Sequence, residues 1–156
     1  MIGGLALIVA VLSLGITVRS DAERNAGTDA DHESVEKLDL YARPDSELIS
    51  ELDLAESGPS PGDRFVVSAP LFDAPVGGGK RARVLVDGYR VGEQVHEILT
   101  LAFGPGDQLI AAGSSRNGRP SLLGITGGSG RYLHAHGTIA VQQTAGGVKL
   151  VIDIRR

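Results

Sequence analysis

The sequence predicts an all-β protein: an eight-stranded antiparallel β-barrel preceded by an N-terminal hydrophobic helix and an acidic linker. Three observations carry this expectation. Apolar residues after position 37 come in short alternating runs, the period of a strand with one buried face. Clusters of glycine, often with proline, asparagine or aspartate, separate the runs. No stretch of about 12 residues in that region repeats its apolar residues at helical spacing.

Taken in order, Ile2 to Val18 is apolar or small apart from Ser13 and Thr17. That length lies near the lower limit for crossing a bilayer and slightly above the apolar region of a secretory signal. Residues 1–19 therefore read as a signal peptide or a signal-anchor. A buried core helix is the third possibility, and Gly3, Gly4 and Gly15 weaken it. Both export readings place the domain outside the cytoplasm, secreted or membrane-tethered, with the membrane engaged only through this segment. Residues 20–36 contain almost no large apolar side chain and read as a disordered acidic linker.

The domain at 37–156 supplies the runs Lys37–Ala42, Leu48–Leu54, Arg64–Phe72, Arg83–Val91, Gln94–Phe103, Gln108–Ala112, Ser121–Ile125, Thr138–Gln143 and Val148–Ile154. Between them lie Gly58-Pro59-Ser60-Pro61-Gly62, Gly77-Gly78-Gly79, Gly104-Pro105-Gly106-Asp107, Asn117-Gly118, Gly127-Gly128-Ser129-Gly130 and Gly146-Gly147. Such spacing suits an antiparallel meander, and closure into a barrel would remove its sheet edges. A barrel of this size has room inside for side chains or for one small ligand. With 4% aromatic residues and no Trp, the shortage of large side chains favours some open space.

Composition excludes several functions. The chain has no Cys, so a disulfide framework, a thiolate metal site and a cysteine nucleophile are ruled out. Residues 21–63 hold 13 of the 19 acidic residues, which leaves residues 64–156, with six acidic and eleven basic, mildly basic. No Lys/Arg run or basic-aromatic stripe is present, so nucleic acid is not an expected partner. No cofactor is expected either.

Ile125-Thr126-Gly127-Gly128-Ser129-Gly130-Arg131-Tyr132, followed by Ala135-x-Gly137-Thr138-Ile139, resembles a signature of the allene oxide cyclase and dirigent proteins. Gly62-Asp63-Arg64-Phe65-Val66 with Pro70-Leu71-Phe72-Asp73 resembles a second element of that family. The final pair of strands from Thr138 to Ile154, with Gln142-Gln143 between them, resembles a third. The resemblance covers roughly residues 38–155. It implies an eight-stranded barrel, often trimeric, with a mostly apolar cavity that orients a reactive small molecule. The chain departs from the plant cyclases at the cavity amide, here Ala69, and at the cavity cysteine. Their acidic motif has no counterpart around Tyr41–Glu47, and the dirigent A-R-G is here Ala135-His136-Gly137.

The expected function is binding of an apolar small molecule, with steering of its cyclisation or coupling if the barrel is catalytic, as an isomerase or cyclase. The alternative is a non-enzymatic secreted binding or oligomeric module with a filled interior. Catalytic candidates are Glu97, which alternates with Val95, Leu99 and Leu101, and Asp87 and Tyr89, two residues apart on one strand face. A carboxyl group among apolar neighbours is suited to acid–base work. Tyr132, Phe72 and Phe103 are candidate cavity residues, and Gly127, Gly128 and Gly130 the structural turn. No metal is expected: His134 and His136 share a face by spacing but lack a third ligand. Ser114, Ser115, His96 and Asp107 lack the G-x-S-x-G elbow of a hydrolase. The G-G-S-G run lacks the following helix that phosphate binding needs.

Overall fold

Each alternating run pairs with its sequence neighbour, and the last pairs with the first. In a computed structural model, residues 34–46, 48–53, 60–116 and 119–156 are described. They form β1 (Val35–Ala42), β2 (Leu48–Leu52), β3 (Arg64–Phe72), β4 (Lys80–Val91), β5 (Gln94–Gly104), β6 (Asp107–Arg116), β7 (Ser121–Ser129), β8 (His136–Thr144) and β9 (Gly147–Arg155). All pairings are antiparallel, in the order β1-β9-β8-β7-β6-β5-β4-β3-β2, and β1 also pairs with β3. The expected hydrophobic helix and most of the linker fall at residues 1–33, outside the described residues. Val35 and Glu36 already pair with β9, so the barrel begins inside the stretch read as linker.

Nine strands make eight barrel positions because β1 and β2 are one interrupted strand. Tyr41 and Ala42 pair with Phe72 and Leu71, and Leu48–Leu52 continue down the same partner from Ser68 to Arg64. The 3₁₀ turn Pro44–Ser46 is the interruption, with proline removing a backbone donor. One circuit of the pairings advances the register by about ten residues, the stagger that tilts strands enough to close a barrel of this size.

The inner wall is a single apolar core. Leu71, Leu101, Leu109, Leu123, Ile139, Ile152 and Ile154 are fully buried, joined by Leu40, Leu99 and Leu150. The upper end is where β5 turns into β6 and β7 into β8. There a 3₁₀ turn, Gly130–Tyr132, folds inward and seats Tyr132 in the core with no exposure. Phe103 packs against Tyr132 with ring centroids 4.9 Å apart. The Arg131 and Arg156 guanidinium carbons stand 4.7 and 5.6 Å from the Tyr132 ring centroid.

The glycine run differs in detail from the expected turn. Gly127, Gly128 and Ser129 are still in β7, paired with Ile110, Leu109 and Gln108, and the chain turns only at Gly130. Gly130 has φ +57, the left-handed region that favours glycine. Gly128 is needed for closeness instead: a Cβ there would meet the backbone carbonyl oxygens of Gln108 and Tyr132.

Candidate functional site

Inward positions change character along the barrel. Toward the lower end, where β4 turns into β5 and β8 into β9, the inward residues Val67, Val86, Val141 and Val148 are only half-buried. Among them sits Glu97, also half-buried, between Val95 and Leu99 on the inner face of β5. Its neighbours across both adjacent strands are glycines, Gly88 and Gly113. A Cβ at Gly88 would run into the tip of the Phe65 ring, and one at Gly113 would lie 2.8 Å from a Leu123 methyl. Phe65 and Leu123 therefore lie over the glycines on either side of Glu97. Ser115 Oγ donates a hydrogen bond to Glu97 Oε1 at 2.9 Å. Arg90 adds a positive charge at the same end, its guanidinium carbon 6.0 Å from the Phe65 ring centroid.

The other candidates lie elsewhere. Asp87 and Tyr89 share a face as expected, but it is the outer one, because Val84, Val86 and Gly88 take the inward positions of β4. Asp87 accepts hydrogen bonds from Arg64 Nη2 at 3.2 Å, and the exposed Tyr89 ring stacks on His96 at 5.1 Å. Neither meets Glu97 across the wall. Phe72 follows the fully buried Leu71 and so faces away from the core, with Arg43 3.7 Å over its ring. Arg43 in turn donates to the Ala74 and Gly78 carbonyls and ties down the β3–β4 connection. Phe103 and Tyr132 come together, as packing that fills the upper end. Among the described residues the buried Tyr132 hydroxyl makes no hydrogen bond of good geometry; burial, with the nearby Glu36 charge, raises its pKa above 10.0, and Arg131 offsets part of the rise.

Ser114 Oγ is hydrogen-bonded to His96 Nδ1 at 2.9 Å, but the pair is exposed on the outer wall. His134 lies in the turn before β8 rather than on the strand with His136. No group of three or more His, Asp or Glu among the described residues converges as a metal site would require.

Sequence reasoning missed the valines, Phe65 and Arg90 around Glu97. Ser115 carried a signal only as part of a hydrolase idea. Phe65 is in register with Glu97 through Gly88, Val67 and Val86 are in register with Leu99, and Ser115 and Arg90 with Val95, a neighbourhood visible only once the strands are paired.

No family model matches the chain, and no curated protein matches it. Solved structures do. Pyocyanin demethylase superposes with a TM-score of 0.62 at 19% identity, over 76% of this chain and 99% of its own. A pterocarpan synthase dirigent protein gives 0.63 at 17%, over 87% and 95%. A Diels-Alderase from Streptomyces koyangensis gives 0.62 at 16%, over 78% of this chain and 63% of its own. At these identities the likeness speaks to architecture, and on that level the chain has the antiparallel barrel fold found in dirigent and cyclase proteins.

Proposed function

We propose that this chain is an extracytoplasmic barrel that binds an apolar small molecule at its lower end and steers that molecule's cyclisation or coupling. The observation that carries the reading is the asymmetry of the interior. The upper end is packed shut around Tyr132, while the lower end is lined by half-buried valines around Glu97, with Asp63 buried just before β3. That combination, apolar walls with few polar groups, is what small-molecule sites use to hold and orient a guest. Holding a flexible guest in one reactive geometry can itself select a product. The neighbours' names, a demethylase of pyocyanin, a pterocarpan synthase and a Diels-Alderase, are those of proteins acting on small organic molecules. Export rests on the apolar stretch Ile2 to Val18, and intact-mass measurement of the exported protein tests it.

The binding test uses the neutral fluorophore N-phenyl-1-naphthylamine. The wild-type chain should bind it saturably, and Val86→Trp, which fills the lower end, should weaken binding at least tenfold. Absence of saturable binding would favour the second reading, a non-enzymatic module that assembles through its outer wall. That reading has its own support in the fully packed upper core and in Leu48, Val66, Leu85 and Ile98, exposed on β2 to β5. Such a module is a homo-oligomer, a trimer by the family resemblance, and sedimentation would show it.

A further inference from the structure

The interruption between β1 and β2 leaves one strand with a single neighbour. Among the described residues β2 pairs with β3 only. On its other side the wall stops short: Val148 already pairs with Ala42, and a Cβ at Gly147, the first residue of β9, would meet Ala42 and Pro44. The β8–β9 turn is therefore level with the Pro44–Ser46 turn, and β2 runs on past it. One row of backbone N–H and C=O groups along Leu48–Leu52 has no strand beside it among the described residues. Proline and lysine commonly guard such an edge, and β2 contains neither. Leu48, Ile49 and Leu52 are instead 70%, 46% and 55% exposed.

We infer that β2 is the contact through which two copies of this chain pair, antiparallel about a two-fold axis at Ser50, so that one sheet runs from barrel to barrel. The inference goes beyond the proposed function and holds whether or not the interior takes a guest. The strand itself, Leu-Ile-Ser-Glu-Leu, selects a second copy and this register. Ser50 pairs with the exposed Val66, so Leu48, Ser50 and Leu52 share the outer face. That face reads Leu-Ser-Leu in either direction. A two-fold at Ser50 sets Leu48 of each copy against Leu52 of the other, and serine against serine. Glu51, the only charge on the strand, works against the competing arrangements. An antiparallel pair centred on Glu51, or a parallel pair in register, sets carboxylates side by side. The Ser50 register sets Glu51 against Ile49 and leaves the two glutamates on a diagonal, roughly 7–8 Å apart. The flank is neutral too: Arg64, beside Leu52 on β3, is ion-paired with Asp87 at 3.2 Å. Beyond it Leu85 and Ile98 carry exposed apolar surface on across β4 and β5. An isologous contact closes on itself, so pairing stops at two copies. A five-residue edge is small beside stable interfaces, so the dimer is weak and reversible.

The chain has no Cys, so one introduced thiol reports one contact. Residues opposite each other on antiparallel strands have Cα atoms about 4.5–5.5 Å apart, within disulfide range. Under mild oxidation the full chain carrying Ser50→Cys should form a covalent dimer at least tenfold faster than one carrying Leu122→Cys, a 65% exposed position on β7. Adding Leu48→Glu with Leu52→Glu sets acid against acid across the axis and should slow the Ser50→Cys cross-link at least tenfold. Adding Leu48→Lys with Leu52→Glu sets lysine against glutamate and should bring the rate back to within threefold. Thermal melting shows that each variant is folded, and in both charge variants the new glutamate at position 52 lies beside Arg64 of its own chain. Equal rates at the two thiol positions overturn the inference, whatever covers β2 instead. Cross-linking indifferent to the charge variants overturns it as well, because the copies then meet elsewhere. Sedimentation of the wild-type chain needs no variant: a concentration-dependent dimer is expected, and a monomer throughout, or a trimer, overturns the two-fold pair.

Discussion

Removing a hydroxyl from the most buried aromatic residue should stabilise this protein. Tyr132 is without exposure, and among the described residues its hydroxyl makes no hydrogen bond of good geometry, the nearby Arg131 offsetting only part of the rise in its pKa. Burying such a group unpaired costs about 1–3 kcal/mol. Tyr132→Phe removes that cost and keeps the ring against Phe103 and beneath the Arg131 and Arg156 guanidinium groups, where a phenyl ring serves nearly as well. The lost oxygen leaves a small void and forfeits a few dispersion contacts, which offsets part of the gain. The net expectation is about 1 kcal/mol of stabilisation, or roughly 4 °C in Tm for a domain of this size. Tyr132→Ala should cost about 3–5 kcal/mol through the cavity it leaves. Thermal and urea unfolding at neutral pH measure both. The substitution also has an alkaline signature. Desolvation by burial is the largest cause of the raised Tyr132 pKa, followed by the Glu36 charge. A folded-state pKa raised above the unfolded 10.0 gives a contribution that is complete below pH 10 and lost as pH climbs through the folded value. Tyr132→Phe should lack that loss. A Tyr132→Phe protein that melts several degrees below wild type would refute the reasoning, because it would mean the hydroxyl is engaged.

Gly128→Ala should destabilise by about 1–3 kcal/mol, because its Cβ would meet two backbone oxygens that cannot rotate away, whereas Gly130→Ala tests positive φ as well as space; urea midpoints of the two variants read this. Lys149 has a raised pKa, chiefly through the hydrogen bond it donates to Asp39 at 2.7 Å, so its contribution is present below 10.5 and lost as pH rises through the folded value; Lys149→Met should flatten that part of an alkaline stability profile. Asp73 has a lowered pKa, first because of its hydrogen bond from Arg81, so its contribution is present above 3.8 and lost as pH falls through the folded value; Arg81→Gln should shift the acid side of the profile. Ser114→Ala and His96→Ala alter the outer wall only, and both should leave probe affinity within twofold of wild type in the titration that Val86→Trp abolishes.

Where the apolar signal was clean, the strands were legible. Arg64–Phe72 is β3 with the same ends, and Gln94–Phe103 is β5 short by one residue. The signal faded where side chains stop contributing to it. Gln108–Ala112 continues as strand to Arg116, because Gly113, Ser114 and Ser115 pair normally while showing no apolar alternation. Ser121–Ile125 continues to Ser129, since glycine in β7 serves close approach to Tyr132 rather than a turn. Face assignment was harder than strand assignment. In Arg83-Val84-Leu85-Val86-Asp87 both parities are apolar, and only pairing shows Val84 buried and Leu85 exposed, which sends Asp87 outward. Glu97 was easier, because Val95, Leu99 and Leu101 are all buried and Ile98 is exposed. The scarcity of aromatics suggested open space. The barrel answers it differently, since leucine and isoleucine from tilted, staggered strands interdigitate, and the largest plug, Tyr132, enters from a turn that strand patterning does not count.

That filling limits what the barrel can do. Leu71, Leu101, Leu109, Leu123 and Ile139 are fully buried, so a guest cannot pass them without displacing packed core, at a cost of several kcal/mol. Under the proposed function entry would be from the lower end, where the described walls run from Glu97 down to Val95 on β5 and from Val67 to Phe65 on β3. Two residues along a strand rise about 7 Å, the length of one or two fused rings. A long flexible chain would leave most of itself in water, and the barrel could not set its conformation. A compact ring system anchored at Glu97 would have its outer edge at the mouth, open to a second reactant or to another part of itself. Under the proposed function, control of a reaction would therefore come from which edge of a small guest is presented, not from enclosing the whole of a large one.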